Sequence, residues 1–402
     1  MLKILGIKLS NIKRDDLIKN LEESLDKEEK VFISTPNPEI ILNSHEDEEL
    51  FYILNQSNYS LADGFGLQIA GLLSKQKFPR ITGADFSLDL LKLAEKQEKK
   101  VLILNHENGR SKDSDIKKSL KKLFPELNFL VISEKPKIKL EKEKKEEVTS
   151  FSPEILFCLY GAPWQEKFIY HNLKDFNSLK IAIGVGGAFD FITKKAQRAP
   201  FVLRKIGLEW LWRLILEPKR LKRIFKATIL FMIKVINWRF ILPHKYRKNV
   251  ACLLYRFKNK EKEILLVKRS DQKNHWQIPQ GGLDNQKIIE AGKRELREEV
   301  GTSNFTVEKV FKNVFKYKFR DNFSSDKEKN KHYDKFGYKG QKQNLLIARF
   351  TGSDEDININ FWDHTNWKWV KESEVLKIIH PVRRNATKKF LEKLNKLKYE
   401  KN

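Results

Sequence analysis

Three glutamates in Arg294-Glu295-Leu296-Arg297-Glu298-Glu299-Val300-Gly301 are spaced i, i+3 and i+4. On a helix stopped by that glycine, the spacing sets three carboxylates on one face, where they repel unless a cation neutralises them. Hard divalent ions with oxygen ligands, Mg²⁺ or Mn²⁺, do this, and such ions also neutralise diphosphate oxygens and acidify water. By itself the segment is equally a solvated acidic face paired with neighbouring Arg and Lys.

Just upstream stands Trp276-Gln277-Ile278-Pro279-Gln280-Gly281-Gly282. Together the two segments resemble the Nudix hydrolase signature. The resemblance runs over roughly 246–398 and is nearest to bacterial RNA pyrophosphohydrolases and dinucleoside-polyphosphate hydrolases. Tyr246-Arg247-Lys248-Asn249-Val250, Gly340-Gln341-Lys342-Gln343, Trp367-Lys368-Trp369-Val370 and Pro381-Val382-Arg383-Arg384 look like landmarks of that subgroup. The resemblance implies Mg²⁺ or Mn²⁺ held by Glu295, Glu298 and Glu299, with Glu298 catalytic. It also implies Arg294 as the orienting residue, Asp363 as a later acidic ligand or base, and a nucleotide or RNA 5′ end as substrate. Lys339 and Lys342 would hold further phosphates. Two departures stand out: the loop before Arg294 is one residue short, leaving Gln286 at the first box glutamate, and Thr302 replaces an aliphatic residue. With the three principal ligands present, activity is expected to survive.

In the first half, polar residues recur where apolar runs end: Ser34-Thr35-Pro36-Asn37-Pro38, Ala62-Asp63-Gly64 and Arg80-Ile81-Thr82-Gly83-Ala84-Asp85. Open parallel sheets bind ligands beyond the carboxyl ends of their strands, so Asp63 is placed to accept a proton or bind a sugar hydroxyl. Taken singly, each segment is also an ordinary turn or helix cap. Together with Gly161-Ala162-Pro163-Trp164-Gln165-Glu166, Gly184-Val185-Gly186-Gly187-Ala188-Phe189-Asp190-Phe191, Arg198-Ala199-Pro200 and Gly207-Leu208-Glu209-Trp210-Leu211-Trp212-Arg213, they resemble the WecG/TagA/CpsF glycosyltransferase family over roughly 5–225. That resemblance implies inverting transfer from a UDP-sugar, N-acetylmannosamine or a relative, to a polyprenyl-diphosphate-linked sugar. It implies Asp63 as base, Thr35, Asn37, Gln165 and Glu166 as pocket residues, and Arg213, Arg220 and Arg223 as ligands for the lipid diphosphate. Asn105-His106-Glu107-Asn108-Gly109 and Lys194 depart from the glycines usual in relatives.

The elements that must carry these residues read as an α/β chain. Apolar runs at 31–34, 60–62, 101–104, 154–159 and 179–185 alternate with helical patterns near 39–54, 65–74 and 84–98, which predicts a largely parallel sheet between helices. The charged stretch 135–147 is expected to be an exposed loop or helix. Residues 201–243 mix aromatic, aliphatic and basic residues without the run of about 18 apolar residues a membrane span needs, and are suited to the headgroup region. Paired strands follow at 250–256 and 264–268, and a polar insert at 319–340. The expected domains are a Rossmann-like transferase core, 1–200, an amphipathic appendage, 201–243, and an α+β Nudix sandwich, 244–402.

At 402 residues, 40% of them apolar, the chain is long enough for two cores, and 11% aromatic content excludes a disordered polyelectrolyte. Cys158 and Cys252 alone give neither a disulfide framework nor a cysteine zinc site. The N-terminus lacks the apolar core of a secretory signal, so a cytoplasmic location with peripheral attachment to the inner membrane face is expected. A net charge of +26 favours polyanionic partners. The partners implied are a UDP-sugar, a polyprenyl-diphosphate lipid, a nucleotide or RNA 5′ end and a membrane surface, with a second copy of the chain left open. The reading is of a bifunctional enzyme; the alternative is one active domain beside a nucleotide- or RNA-binding module.

Overall fold

The computed structural model describes residues 2–27, 29–205, 207–270, 272–319 and 337–397, without the side chains of residues 205, 213 and 220. The chain divides into two compact units, Met1–Arg239 and Phe240–Asn402.

Unit one opens on a hairpin, β1 (Leu2–Ile4) and β2 (Ile7–Leu9), then α1 (Arg14–Leu25). Its main sheet holds β3 (Val31–Ser34), β4 (Tyr59–Ser60), β5 (Val101–His106), β6 (Phe129–Glu134), β7 (Ile155–Cys158) and β8 (Ile181–Gly184), in the order β4-β3-β8-β7-β5-β6. Every pairing in it is parallel, which fulfils the expected architecture. Side-chain alternation explains why the strands are apolar throughout. Ile33, Ile103, Phe157 and Ile183 face one buried cluster, whereas Phe32, Leu102, Leu156 and Ala182 face another.

Helices cover both faces: α2 (Pro38–Ser44), α3 (Glu48–Gln56), α4 (Phe65–Leu73), α5 (Gly83–Lys96), α6 (Asp113–Leu123), α7 (Lys142–Phe151), α8 (Trp164–Asn172) and α9 (Phe189–Ile192). The single helix expected over 39–54 is two, because the Asp47 side chain accepts the Leu50 amide hydrogen at 3.0 Å and starts α3 afresh. The charged stretch contributes α7.

The basic appendage forms α10 (Phe201–Lys205), α11 (Glu209–Leu216), α12 (Leu221–Phe225) and α13 (Phe231–Ile236). Phe231 and Val235 are buried against Leu42 of α2 and Leu67 and Ala70 of α4. Each such side chain stabilises the docking by about 1.5–3 kcal/mol. No helix among the described residues is long and apolar enough to cross a membrane.

Unit two is a seven-stranded mixed sheet: β9 (Tyr246–Lys258), β10 (Glu261–Arg269), β11 (Trp276–Gln277), β12 (Gln280–Gly282), β13 (Phe305–Lys318), β14 (Gly340–Phe350) and β15 (His364–Lys371). β9 and β10 pair antiparallel, as the sequence predicts, and β14 lies parallel to β9. One face carries Val250, Cys252, Leu254 and Leu346 beneath α14 (Ile288–Glu295), the other Ala251, Leu253 and Leu345 beneath the C-terminal helix Pro381–Leu394. Beyond α14 the helix continues as a wider turn, Leu296–Val300, and stops at Gly301 with φ 74°. A side chain at Gly301 would collide with the Asn358 carbonyl, so the stop depends on glycine twice. Most of the insert expected over 319–340 lies outside the described residues.

Candidate active sites

At the carboxyl ends of β3 and β4, the Asp63 amide donates to the Pro36 carbonyl at 3.0 Å, fastening the two loops that carry Thr35, Asn37 and Asp63. Thr35 is buried and its hydroxyl donates to the Gly184 carbonyl at 2.7 Å. Asn37 caps α2, its Oδ1 accepting the Ile40 amide hydrogen at 2.9 Å. Asp63 Oδ2 accepts from the Gly83 amide at 3.2 Å, at the start of α5. Gly64, with φ 111°, lets the chain turn at once into α4.

Gln165 and Glu166, at the start of α8, face inward rather than into the open cleft. Gln165 Oε1 accepts from the amides of Gly161 (3.1 Å) and Gly186 (2.8 Å), and its Nε2 donates to Glu166 Oε1 at 2.8 Å. The amide thereby joins the loops after β7 and β8. Glu166 is fully buried, and that burial pushes its carboxyl up to about 7.

The appendage is clamped to this end of the sheet by charge. Arg223 donates from Nε and Nη2 to the two carboxylate oxygens of Glu39, both at 2.9 Å. Arg110, in the loop after β5, donates to both oxygens of Glu217 at 2.7 Å. Arg80 pairs with Glu209 at 3.2 Å. The side chains of Arg213 and Arg220 lie outside the described residues. None of Glu39, Arg110 or Glu217 is flagged by sequence spacing, since the partners are far apart along the chain.

In unit two, Arg294 gathers the carboxylate helix. Its Nη1 donates to Glu298 Oε2 at 2.7 Å, and its Nη2 pairs with Glu295 Oε1 at 2.8 Å and reaches the Gly282 carbonyl at 2.8 Å. Its Nε donates to Gln286 Oε1 at 2.9 Å, so the glutamine at the departing box position holds the arginine without adding charge. Glu299 Oε2 accepts from the Gln280 amide at 2.9 Å. Glu295 and Glu299 are buried and Glu298 is exposed. A methyl group at Gly281 would fall on the Glu295 carboxylate, and one at Gly282 on Arg247. Asn360 donates to the Glu298 carbonyl, which lays the segment ending at Asp363 alongside this helix. The half-exposed Asp363 itself accepts, through its carbonyl, the Ser270 amide hydrogen at 2.9 Å.

No three acidic, histidine or cysteine side chains among the described residues are grouped closely enough to hold a metal ion. The donor set nevertheless fits one chemically. Three carboxylates and one guanidinium sum to two negative charges, the complement of a divalent cation, and all the donors are hard oxygens.

Strand register adds a feature the sequence hides. Lys316 pairs directly with Lys342, and Lys342 with Lys248, so three lysines lie in a row across β13, β14 and β9. Like charges in directly opposed positions repel, and an anion lying over them relieves that repulsion. Lys316 also sits 4.2 Å from the Tyr246 ring centroid. Sequence reading singled out only Lys342 of the three.

The glycosyl transferase WecG/TagA/CpsF family model matches residues 2–245, more than half of the chain. The chain belongs to that family. Its C-terminal part, 245–391, matches the NUDIX domain model. The transferase unit is similar to the N-acetylglucosaminyldiphosphoundecaprenol N-acetyl-beta-D-mannosaminyltransferase of Bacillus subtilis (strain 168), 33% identical over 203 residues, 50% of this chain and 77% of that one. The protein of the same name from Staphylococcus aureus (strain MRSA252) is 29% identical over 236 residues, 58% and 91% of the two chains. Among solved structures, a C. elegans Ap4A hydrolase binary complex matches at 21% identity and a TM-score of 0.28, covering 38% of this chain and 99% of that one. That likeness is too slight to carry an argument. The protein is thus an enzyme, a glycosyltransferase followed by a Nudix hydrolase domain.

Proposed function

We propose that both units turn over. The transferase unit moves an N-acetylmannosamine-like sugar from its UDP carrier to a sugar on a polyprenyl diphosphate, as the names of its relatives suggest. The observation that carries this is the joining of Thr35, Asn37 and Asp63 at the strand ends, with the Gly83 amide fixing the Asp63 carboxylate. Asp63 takes the acceptor hydroxyl's proton as that oxygen attacks the anomeric carbon. Arg223, with Arg213 and Arg220, neutralises lipid diphosphate.

A membrane-facing surface supports the lipid acceptor. Leu221, Phe225, Ile229, Ile233 and Ile236 recur every three or four residues and are 44–60% exposed, opposite the buried Phe231 and Val235. Lysines and arginines flank this stripe, as in helices that lie in a headgroup layer.

The Nudix unit hydrolyses a diphosphate bond in 5′-triphosphate RNA or a dinucleoside polyphosphate. Glu295, Glu298 and Glu299 would hold Mg²⁺ or Mn²⁺, with Arg294 orienting them and Asp363 as later ligand or base. When bound, the ion supplies charge neutralisation and acidifies water. The lysine row supports an extended phosphate chain as substrate. A nucleotide-binding module without turnover is the second reading, favoured by Gln286 at the box position and by the pairing of Arg294 with two of the glutamates.

Transfer of labelled N-acetylmannosamine from UDP to N-acetylglucosaminyl-diphosphoundecaprenol tests the first unit. Product formed by the wild type and lost in Asp63→Asn supports it; undiminished transfer in the variant removes Asp63 as base.

A further inference from the structure

Arg198 stands in a cleft that is chemically unfinished. Its Nη1 donates to Asp85 Oδ1, its Nη2 lies 3.5 Å from Thr82 Oγ1, and its guanidinium covers the Phe191 ring at 5.4 Å. The side chain is 23% exposed. Its Nε, however, is sealed from solvent with no hydrogen-bond acceptor among the described residues. Arg80 repeats the pattern: Nη1 donates to the Arg204 carbonyl at 3.0 Å, Nη2 to Glu209 at 3.2 Å, and Nε is buried with no acceptor among the described residues. Both arginines interact with Glu209, and Arg198 is also close enough to Asp63 for their charges to interact.

Buried N–H groups are nearly always paired, so two orphaned guanidinium donors beside one carboxylate call for a ligand bearing oxygen acceptors. The transfer reaction brings two such ligands to Asp63. The acceptor O–H bond breaks towards the carboxylate and a new C–O bond forms at the anomeric carbon. The bond from that carbon to the donor's diphosphate oxygen breaks, and its electron pair leaves on the nucleoside diphosphate. The acceptor sugar carries its own diphosphate one sugar ring away. Nothing about the Asp85 contact uses the Nε–H, so the clip to α5 and the free donor are separate features of one side chain.

We propose that Arg198, through its Nε–H and with Arg80 beside it, binds the diphosphate of a sugar-diphosphate substrate in the Asp63 cleft. The proposal rests on the transferase reading. Arg198→Lys keeps a positive charge for Asp85 but lacks the second donor, whereas Asp85→Asn loosens the clip and keeps the Nε–H. In the full chain, UDP affinity by calorimetry and the KM for donor and for lipid acceptor separate the two sources. Arg198→Lys should weaken one of them about tenfold or more, as loss of a charge-assisted bond does, and spare the other. UDP and donor KM shift together if the nucleotide is held there, and acceptor KM alone if the lipid is. Asp85→Asn should do markedly less. Unchanged affinity and KM values in Arg198→Lys overturn the proposal, as does an Asp85→Asn variant matching it throughout, which would make Arg198 a clip only. Inorganic diphosphate added to the unsubstituted chain should compete with the same substrate; competition with neither also overturns it. UDP binding needs no turnover, so a wild type that binds UDP without transferring sugar counts against the transferase reading and not against this site.

Discussion

Glu39 holds Arg223 by two parallel hydrogen bonds of 2.9 Å, to Nε and Nη2, across 184 residues of sequence. The fork geometry directs the remaining Nη1 away from Glu39, so one contact both docks the appendage beside Asn37 and aims a cation. Glu39→Gln should therefore raise the KM for the lipid acceptor about tenfold while leaving the donor KM near its wild-type value. An equal rise in both would mean that Glu39 only stabilises the fold.

Gly281 is the point at which the sheet touches the carboxylate helix. Gly281→Ala drives a methyl into the Glu295 carboxylate and should cost about 1–3 kcal/mol of unit-two stability. Phosphate release should fall with it while sugar transfer persists. Denaturation followed in parallel with both assays checks this, and an unimpaired hydrolase would show that Glu295 has another position available.

Glu166 links stability to pH. With its carboxyl raised to about 7 from 4.5, the folded state holds this proton more tightly than the unfolded chain does. Stability from this group is then full below about pH 4.5 and falls as pH rises to 7, by about 3 kcal/mol at 1.36 kcal/mol per unit. Glu166→Gln, neutral at all pH, should melt above the wild type at pH 8 and beside it at pH 4. Identical melting curves at both values would mean that the group ionises freely in the fold.

The exposed stripe on α12 and the helix after it predicts vesicle binding. Replacing Ile229 and Ile233 together by Asp should abolish sedimentation with anionic lipid vesicles, since burial in lipid of two such side chains is worth about 3–6 kcal/mol. The melting temperature should hardly move, because both residues are exposed. Sedimentation that survives the double change would assign lipid attachment elsewhere.

Much of the fold is legible in the sequence because burial leaves local marks. Apolar runs such as Val31-Phe32-Ile33 and Ile181-Ala182-Ile183 can only be strands covered on both faces, and they form the centre of the parallel sheet. The break between α2 and α3 is missed because periodicity continues across it, and only the Asp47 cap marks the new start. Hairpin β1–β2 is too short to show a period. At the sites, residue types betray Asp63 and the glutamate helix, but long-range partners stay silent. Glu39 is one of many surface glutamates until the fold brings Arg223 to it, and the row of Lys248, Lys342 and Lys316 exists only once the register of three strands is set.

Two independent active sites on one chain are tested most directly by assaying sugar transfer and Mg²⁺-dependent phosphate release side by side. Wild type, Asp63→Asn and Glu298→Gln full-length chains should be compared on the lipid acceptor with UDP-N-acetylmannosamine, and on 5′-triphosphate RNA and diadenosine tetraphosphate. Asp63→Asn should lose transfer by about 100-fold or more and keep hydrolysis, and Glu298→Gln should do the reverse. Hydrolysis that is absent from the wild type, or undiminished in Glu298→Gln, would contradict a second active site and leave a glycosyltransferase carrying a binding domain.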